Sequence, residues 1–161
     1  MLHNTLIIFS LFILSHLSFS QEVSFTEIKN DEHVLRKIFV DGEEAGFISF
    51  YKKLDPESVF NMQIGQVDDA SVVWTLSRIK IEERFRRHGY ASLLVETMLD
   101  DARKADVEEI ILTAKPSSLD ITLDTLIAFY KRFKATLIEE NSLFGAFMCI
   151  HLAATNGKIG E

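Results

Sequence analysis

Apolar residues at positions 91, 94, 95, 98, 99 and 102 share one face of a helix, and mostly polar residues separate them. Just upstream, residues 71–81 hold Trp74, Leu76, Ile79 and Ile81 and read as a long strand. Between the two lie an acidic pair, Glu82 and Glu83, then Arg84, Arg86 and Arg87, then His88-Gly89-Tyr90-Ala91. The pattern predicts strand, glycine-containing loop and a helix over 88–104. The chain is organised around this stretch.

The hydrophobic pattern gives the remaining elements. Residues 23–28 alternate as a half-buried strand does, and 34–40 form a second strand. Asp41-Gly42 signals a tight turn, and 45–51 return from it. Residues 52–70 contain Pro56, Gly65 and Asp68-Asp69 and read as a loop. With 71–81 these strands make an antiparallel meander of four. After the first helix, 107–113 are a strongly apolar strand, so strand, helix and strand form a right-handed parallel crossover. Pro116 and Ser117-Ser118 open a second helix, with Ser117 and Asp120 placed as a capping box. Leu119, Leu123, Leu126, Ile127 and Tyr130 mark its inner face. Residues 135–140 are a short strand, Asn141-Ser142 turns it, and 143–152 return. The polar tail 153–161 is expected to fray.

The fold class is therefore α+β, a mixed α/β domain over residues 22–152. It has about seven mostly antiparallel strands and two main helices, in the order β-β-β-β-α-β-α-β-β. The 161 residues suit one domain, and 47% hydrophobic residues provide a core for it. The net charge of −7 makes the chain a poor general binder of nucleic acid and compatible with a cationic partner such as an amine. The single cysteine, Cys149, excludes an internal disulfide and a zinc site built from cysteines, and no metal ligand set is read.

Residues 1–20 read as a separate leader. Residues 6–17 are almost wholly apolar, too short for a membrane span and suited to a signal-peptide core. Ser18 and Ser20 would suit a cleavage site, although no Lys or Arg lies near the start. A cleaved signal is favoured over an uncleaved anchor, with a wrongly extended start as the third reading. A retained leader would bring the membrane in as a partner. The leader points to the secretory pathway or a membrane anchor.

The opening of a helix presents unpaired N–H groups and a partial positive charge. Gly89 has no Cβ to keep a ligand at a distance, and the neighbouring arginines add donors for phosphate oxygens. Together they make a seat for a pyrophosphate.

Arg86-Arg87-His88-Gly89-Tyr90-Ala91, framed by Ile79-x-Ile81 and Leu93-Leu94, resembles the Arg/Gln-x-x-Gly-x-Gly/Ala signature of the GNAT acetyltransferase superfamily. The element order resembles that family's core over about residues 22–152. The resemblance implies acetyl-coenzyme A as cosubstrate and a primary amine as acceptor, joined by direct attack in a ternary complex. Use of acetyl-coenzyme A points to the cytoplasm. Backbone groups of Ile79 and Ile81 would pair with the pantetheine, in the gap where the strands on either side of the signature splay apart. Arg86, Arg87, His88, Gly89, Tyr90, Ala91 and Ser92 would hold the pyrophosphate. Tyr130 matches the family's proton-donating tyrosine, against a plain reading as a core aromatic.

Departures from the family pattern also stand in the sequence. Lys134-Ala135 replaces the usual Gly-Phe, and Leu123 and Asp124 occupy the region of a common asparagine. No general base is evident: Asp68, Asp69, Glu82 and Glu83 read as solvated turn residues. The family's helices between its first two strands have no room in residues 30–33. The acceptor site must then be built by the 52–70 loop or by a second subunit in a homodimer. The alternative function is a non-catalytic acyl-coenzyme A-binding or protein-interaction module, exported if the leader acts as a signal. His33 is read as a turn residue, His151 as structural and Cys149 as core.

Overall fold

The computed structural model describes residues 9–10, 21–53, 73–141 and 143–152. Most of the leader, most of the 52–70 loop, Ser142 and the 153–161 tail lie outside the described residues. Among the described residues there are eight strands and two helices. The strands are β1 (Phe9–Ser10), β2 (Val23–Lys29), β3 (His33–Val40), β4 (Glu43–Tyr51), β5 (Val73–Ile81), β6 (Glu109–Ala114), β7 (Ala135–Asn141) and β8 (Gly145–His151). The helices are α1 (Tyr90–Lys104) and α2 (Leu123–Lys131), with a 3-10 turn at Glu83–Phe85. The strand order is β1-β2-β3-β4-β5-β6-β8-β7. Apart from the two-residue β1, this is the expected α+β architecture of seven strands and two helices. No helix among the described residues is long and apolar enough to cross a membrane.

The chain divides into two compact units, residues 1–50 with 78–99 and residues 51–77 with 100–161. In the first unit β2 pairs antiparallel with β3 from Val23↔Val40 to Lys29↔Val34. Strict alternation buries Val34, Ile38 and Val40 on one face of β3, as period-two side-chain geometry requires. The turn between the two strands is tight because Asn30 Oδ1 accepts the amides of Glu32 and His33 at 3.0 and 2.7 Å. His33 is thus the first residue of β3, where its Nε2 meets Ser49 Oγ at 2.8 Å. Asp41 and Gly42 both have positive φ, 51° and 82°, the conformation that a two-residue hairpin turn needs. Phe9 and Ser10 pair with Phe25 and Ser24. The α1 face predicted from spacing is the buried one: Leu94, Val95, Met98 and Leu99 are all inside.

In the second unit β5 and β6 run parallel from Val73↔Glu109 to Leu76↔Leu112. That is the parallel pairing expected of the strands on either side of α1 in the chain. The ladder stops there, while β5 continues through residues 77–81. β6 pairs antiparallel with β8 along its whole length, and β8 with β7, with an irregularity between Leu137 and Glu139. Ile110, Leu112, Met148 and Ile150 form the sheet's contribution to the core.

The second helix departs from its sequence reading. It starts at Leu123, capped by Thr122, whose Oγ1 accepts the Thr125 amide at 3.2 Å. Ser117 and Asp120 both precede the helix, and Leu119 is fully exposed outside it. Thr122 followed by Asp124 supplies both a side-chain cap and a first-turn acid, so it outcompetes the Ser117 start. Ile127 and Tyr130 are the buried residues of the shortened helix.

Candidate functional site

The loop between β5 and α1 lies wholly within the first unit. Ile79 and Ile81 are half-buried near the end of β5. Arg86 does not simply point to solvent: its Nε donates to the Ile81 carbonyl oxygen at 3.1 Å. Of the Ile79 and Ile81 backbone groups expected to pair with a ligand, the Ile81 carbonyl therefore already accepts one hydrogen bond. Arg87 is exposed and has a φ of 65°, and Gly89 has a φ of 87°. Two left-handed residues two positions apart turn the backbone sharply before the helix. Only at Gly89 is that conformation free of a side-chain penalty.

Gly89 is the N-terminal boundary of α1, because its carbonyl accepts the Leu93 amide at 3.0 Å. The amides that open the helix precede its first i−4 hydrogen bond, the one from Leu93, and so have no i−4 acceptor within it by construction. No acidic residue stands in that turn, so the positive end of the helix is not neutralised from within. Around it Arg84 pairs with Glu43 at 2.6 Å and Lys80 with Glu82 at 2.8 Å. Lys80 holds the Glu82 carboxyl below its ordinary range. Both pairs are exposed and worth little in stability. Their effect is to match two of the local cations, and Arg87 is a further exposed positive side chain of the turn.

Tyr90 and His88 fix the shape of the loop. The Tyr90 ring is buried, and its hydroxyl donates to Gln21 Oε1 at 2.7 Å. Phe85 meets it edge-on at 6.3 Å and the His88 ring stacks on it at 6.0 Å. His88 Nδ1 lies 2.8 Å from the Arg86 carbonyl oxygen, an arrangement in which Nδ1 carries the proton and donates. Burial, then the charge of Asp41, push the Tyr90 hydroxyl above its usual pKa. Two contributors were not anticipated from sequence. Gln21 is local to nothing in the signature. Gly46 of β4 is needed because a Cβ there would collide with the Lys80 carbonyl oxygen and crowd Ile81.

Tyr130 belongs to the second unit. Its ring is buried against Phe129, with centroids 5.0 Å apart. Burial holds its hydroxyl well above the ordinary tyrosine range, so it stays protonated. Lys134, where the family pattern has glycine, adopts a φ of 63°. The left-handed turn after α2 is therefore kept by a residue that is strained in it. In the same unit, Cys149 is buried, and burial together with Glu109 pushes its thiol up to about 12. His151 Nδ1 lies 3.0 Å from Glu109 Oε1. Sequence reasoning reads His151 as structural and Cys149 as core and does not single out Glu109, which lies 40 positions from Cys149 along the chain and joins it only through the β6–β8 register.

A mostly antiparallel sheet that includes the parallel β5–β6 pair, with two helices and a glycine at the opening of the one after β5, is a GNAT-like α+β architecture. The chain belongs to the acetyltransferase (GNAT) family, whose sequence profile matches residues 7–134. The match begins inside the stretch read as a leader. No curated protein matches the sequence. Among solved structures the fold is similar to that of PaiA N-acetyltransferase from Thermoplasma acidophilum in complex with coenzyme A. That likeness has a TM-score of 0.53 at 12% identity over 75% of this chain and 62% of that one. The chain thus spans less than two thirds of that relative. It is also similar to a GNAT family acetyltransferase from Elizabethkingia anophelis with acetyl-CoA bound, with a TM-score of 0.54 at 12% identity over 75% and 77% of the two chains. The third is Arabidopsis thaliana NAA60 in complex with a bisubstrate analogue, with a TM-score of 0.55 at 14% identity over 80% of each chain. At these identities the likeness is one of fold.

Proposed function

We propose that the chain is an N-acetyltransferase that moves an acetyl group from acetyl-coenzyme A to a primary amine. The observation that carries this reading is the opening of α1. Its first-turn amides, free of any acid in that turn, stand behind Gly89 and beside the exposed Arg87. That arrangement suits a diphosphate, the group at the centre of coenzyme A. Family membership and the coenzyme-bound relatives support the same ligand.

In the reaction the neutral amine nitrogen attacks the thioester carbon. The C–N bond forms as the carbonyl electrons move to oxygen. The oxyanion then collapses, the C–S bond breaks and the thiolate leaves. The ammonium proton passes to solvent or a base, and the thiolate is protonated. We assign Tyr130 the donor role that the resemblance implies for its position. Its raised pKa exceeds that of a thiol, roughly 8.5, so it serves the departing sulfur chiefly by donating a hydrogen bond.

Isothermal titration with coenzyme A is the direct test, followed by a thiol-release assay over a panel of primary amines. Binding with amine-dependent thiol release is expected. No binding at millimolar coenzyme A would remove the proposal, and binding without release would leave a module that only holds the cofactor.

A further inference from the structure

We propose that Glu109, Cys149 and His151 form a binding site for one divalent cation of the zinc type. One donor atom from each residue lies within 4.8 Å of the other two. The set is a carboxylate oxygen, a thiol sulfur and an imidazole nitrogen, three donors that zinc accepts together.

Strand register explains why they converge. Glu109 pairs with His151 and Ile111 with Cys149 across the β6–β8 ladder. Cys149 and His151 are two residues apart on β8, so they project from the same face as Glu109. The sulfur is fixed in the buried sheet, the carboxylate is half-buried, and His151 is exposed at the end of β8. One donor is thus buried, and the exposed one faces the solvent from which an ion would enter.

The spacing suits one ion after a small closure. Zinc bonds of about 2.0–2.3 Å place tetrahedral donors roughly 3.5 Å apart. A rotamer adjustment of His151 and Glu109 covers the difference. Charge fits as well: a thiolate and a carboxylate balance a divalent cation, which gives a neutral site beside the buried core. An exposed His–Glu pair alone is worth little and has no use for a sulfur beside it. Three protein donors leave the fourth position to water. The site sits where the β5–β6 ladder is closed, at Val73↔Glu109, and it would clamp β6 to β8.

Cobalt(II) titration of the metal-stripped full chain tests this. A thiolate-to-cobalt charge-transfer band should appear and saturate at one equivalent, and zinc should displace it and raise the melting temperature. Cys149 is the chain's single cysteine, so a sulfur band reports this site and no other. Cys149→Ala should abolish the band. His151→Ala, an exposed substitution that spares the core, should weaken cobalt binding at least about tenfold. Absence of a sulfur band in the folded protein, or a band whose affinity is unchanged in His151→Ala, would overturn the proposal.

Discussion

Arg86 Nε donates to the carbonyl oxygen of Ile81 at 3.1 Å, so the signature arginine fastens the end of the strand that precedes it. Its neighbour Arg87 is exposed. The two arginines therefore carry separable roles. Arg86→Ala should lower stability by about 1–2 kcal/mol through loss of a charged hydrogen bond. Arg87→Glu should leave the urea midpoint nearly unchanged and weaken coenzyme A about tenfold, the equivalent of roughly 1.4 kcal/mol. Denaturation and calorimetry on the same two variants separate these effects.

Two glycines should fail for different reasons. At Gly89 an added Cβ meets nothing within 4 Å, but φ is 87°. Gly89→Ala should then cost about 1–2 kcal/mol of backbone strain. At Gly46 the Cβ runs into the main chain of β5. Gly46→Ala should cost more, because neither strand can retreat without breaking its pairing. Urea midpoints of the pair give the order, and the reverse order would contradict it.

Lys134 holds a left-handed conformation that the family pattern gives to glycine. Lys134→Gly should stabilise the protein by roughly 0.5–1 kcal/mol, strain relief being partly offset by the added entropy of the unfolded chain. A rise in melting temperature is the readout.

Tyr130→Phe removes one hydroxyl from a packed ring. If that hydroxyl serves the departing sulfur, kcat should fall by about a hundredfold while the KM for acetyl-coenzyme A holds steady. An unchanged kcat would leave Tyr130 as a core aromatic only.

Burial draws the Glu27 carboxyl upward, but hydrogen bonds and charge from Arg36 and Lys29 outweigh it and leave the pKa below 4.5. The folded state then binds fewer protons than the unfolded chain near that pH. This contribution is full above about 4.5 and is lost as pH falls through the lower folded value. Glu27→Gln should flatten the fall in urea midpoint between about pH 6 and pH 3 relative to the parent.

Much of this was legible in the sequence because it is local. The α1 face repeats every three to four residues, and the loop before it carries its own arginines and glycine. The parallel pairing of β5 with β6 follows from a strand–helix–strand order joined by short loops. What failed was a competition between two local signals. Ser117 with Asp120 and Thr122 with Asp124 both resemble helix starts, and Leu119 extends the apolar spacing backwards. The structure starts the helix at Leu123 and leaves Leu119 exposed before it. Gln21 and Gly46 were out of reach because their partners are distant in sequence. The Glu109, Cys149 and His151 cluster needed the β6–β8 register, which no spacing along the chain encodes.

The parallel ladder that ends at Leu76↔Leu112 leaves β5 to run on through residues 77–81 without that neighbour. Deuterium should therefore enter those amides that face the abandoned side sooner than it enters Val73 to Leu76. An extended ligand laid along that margin would slow the uptake, so isotope labelling alone would map its footprint before any acceptor is known.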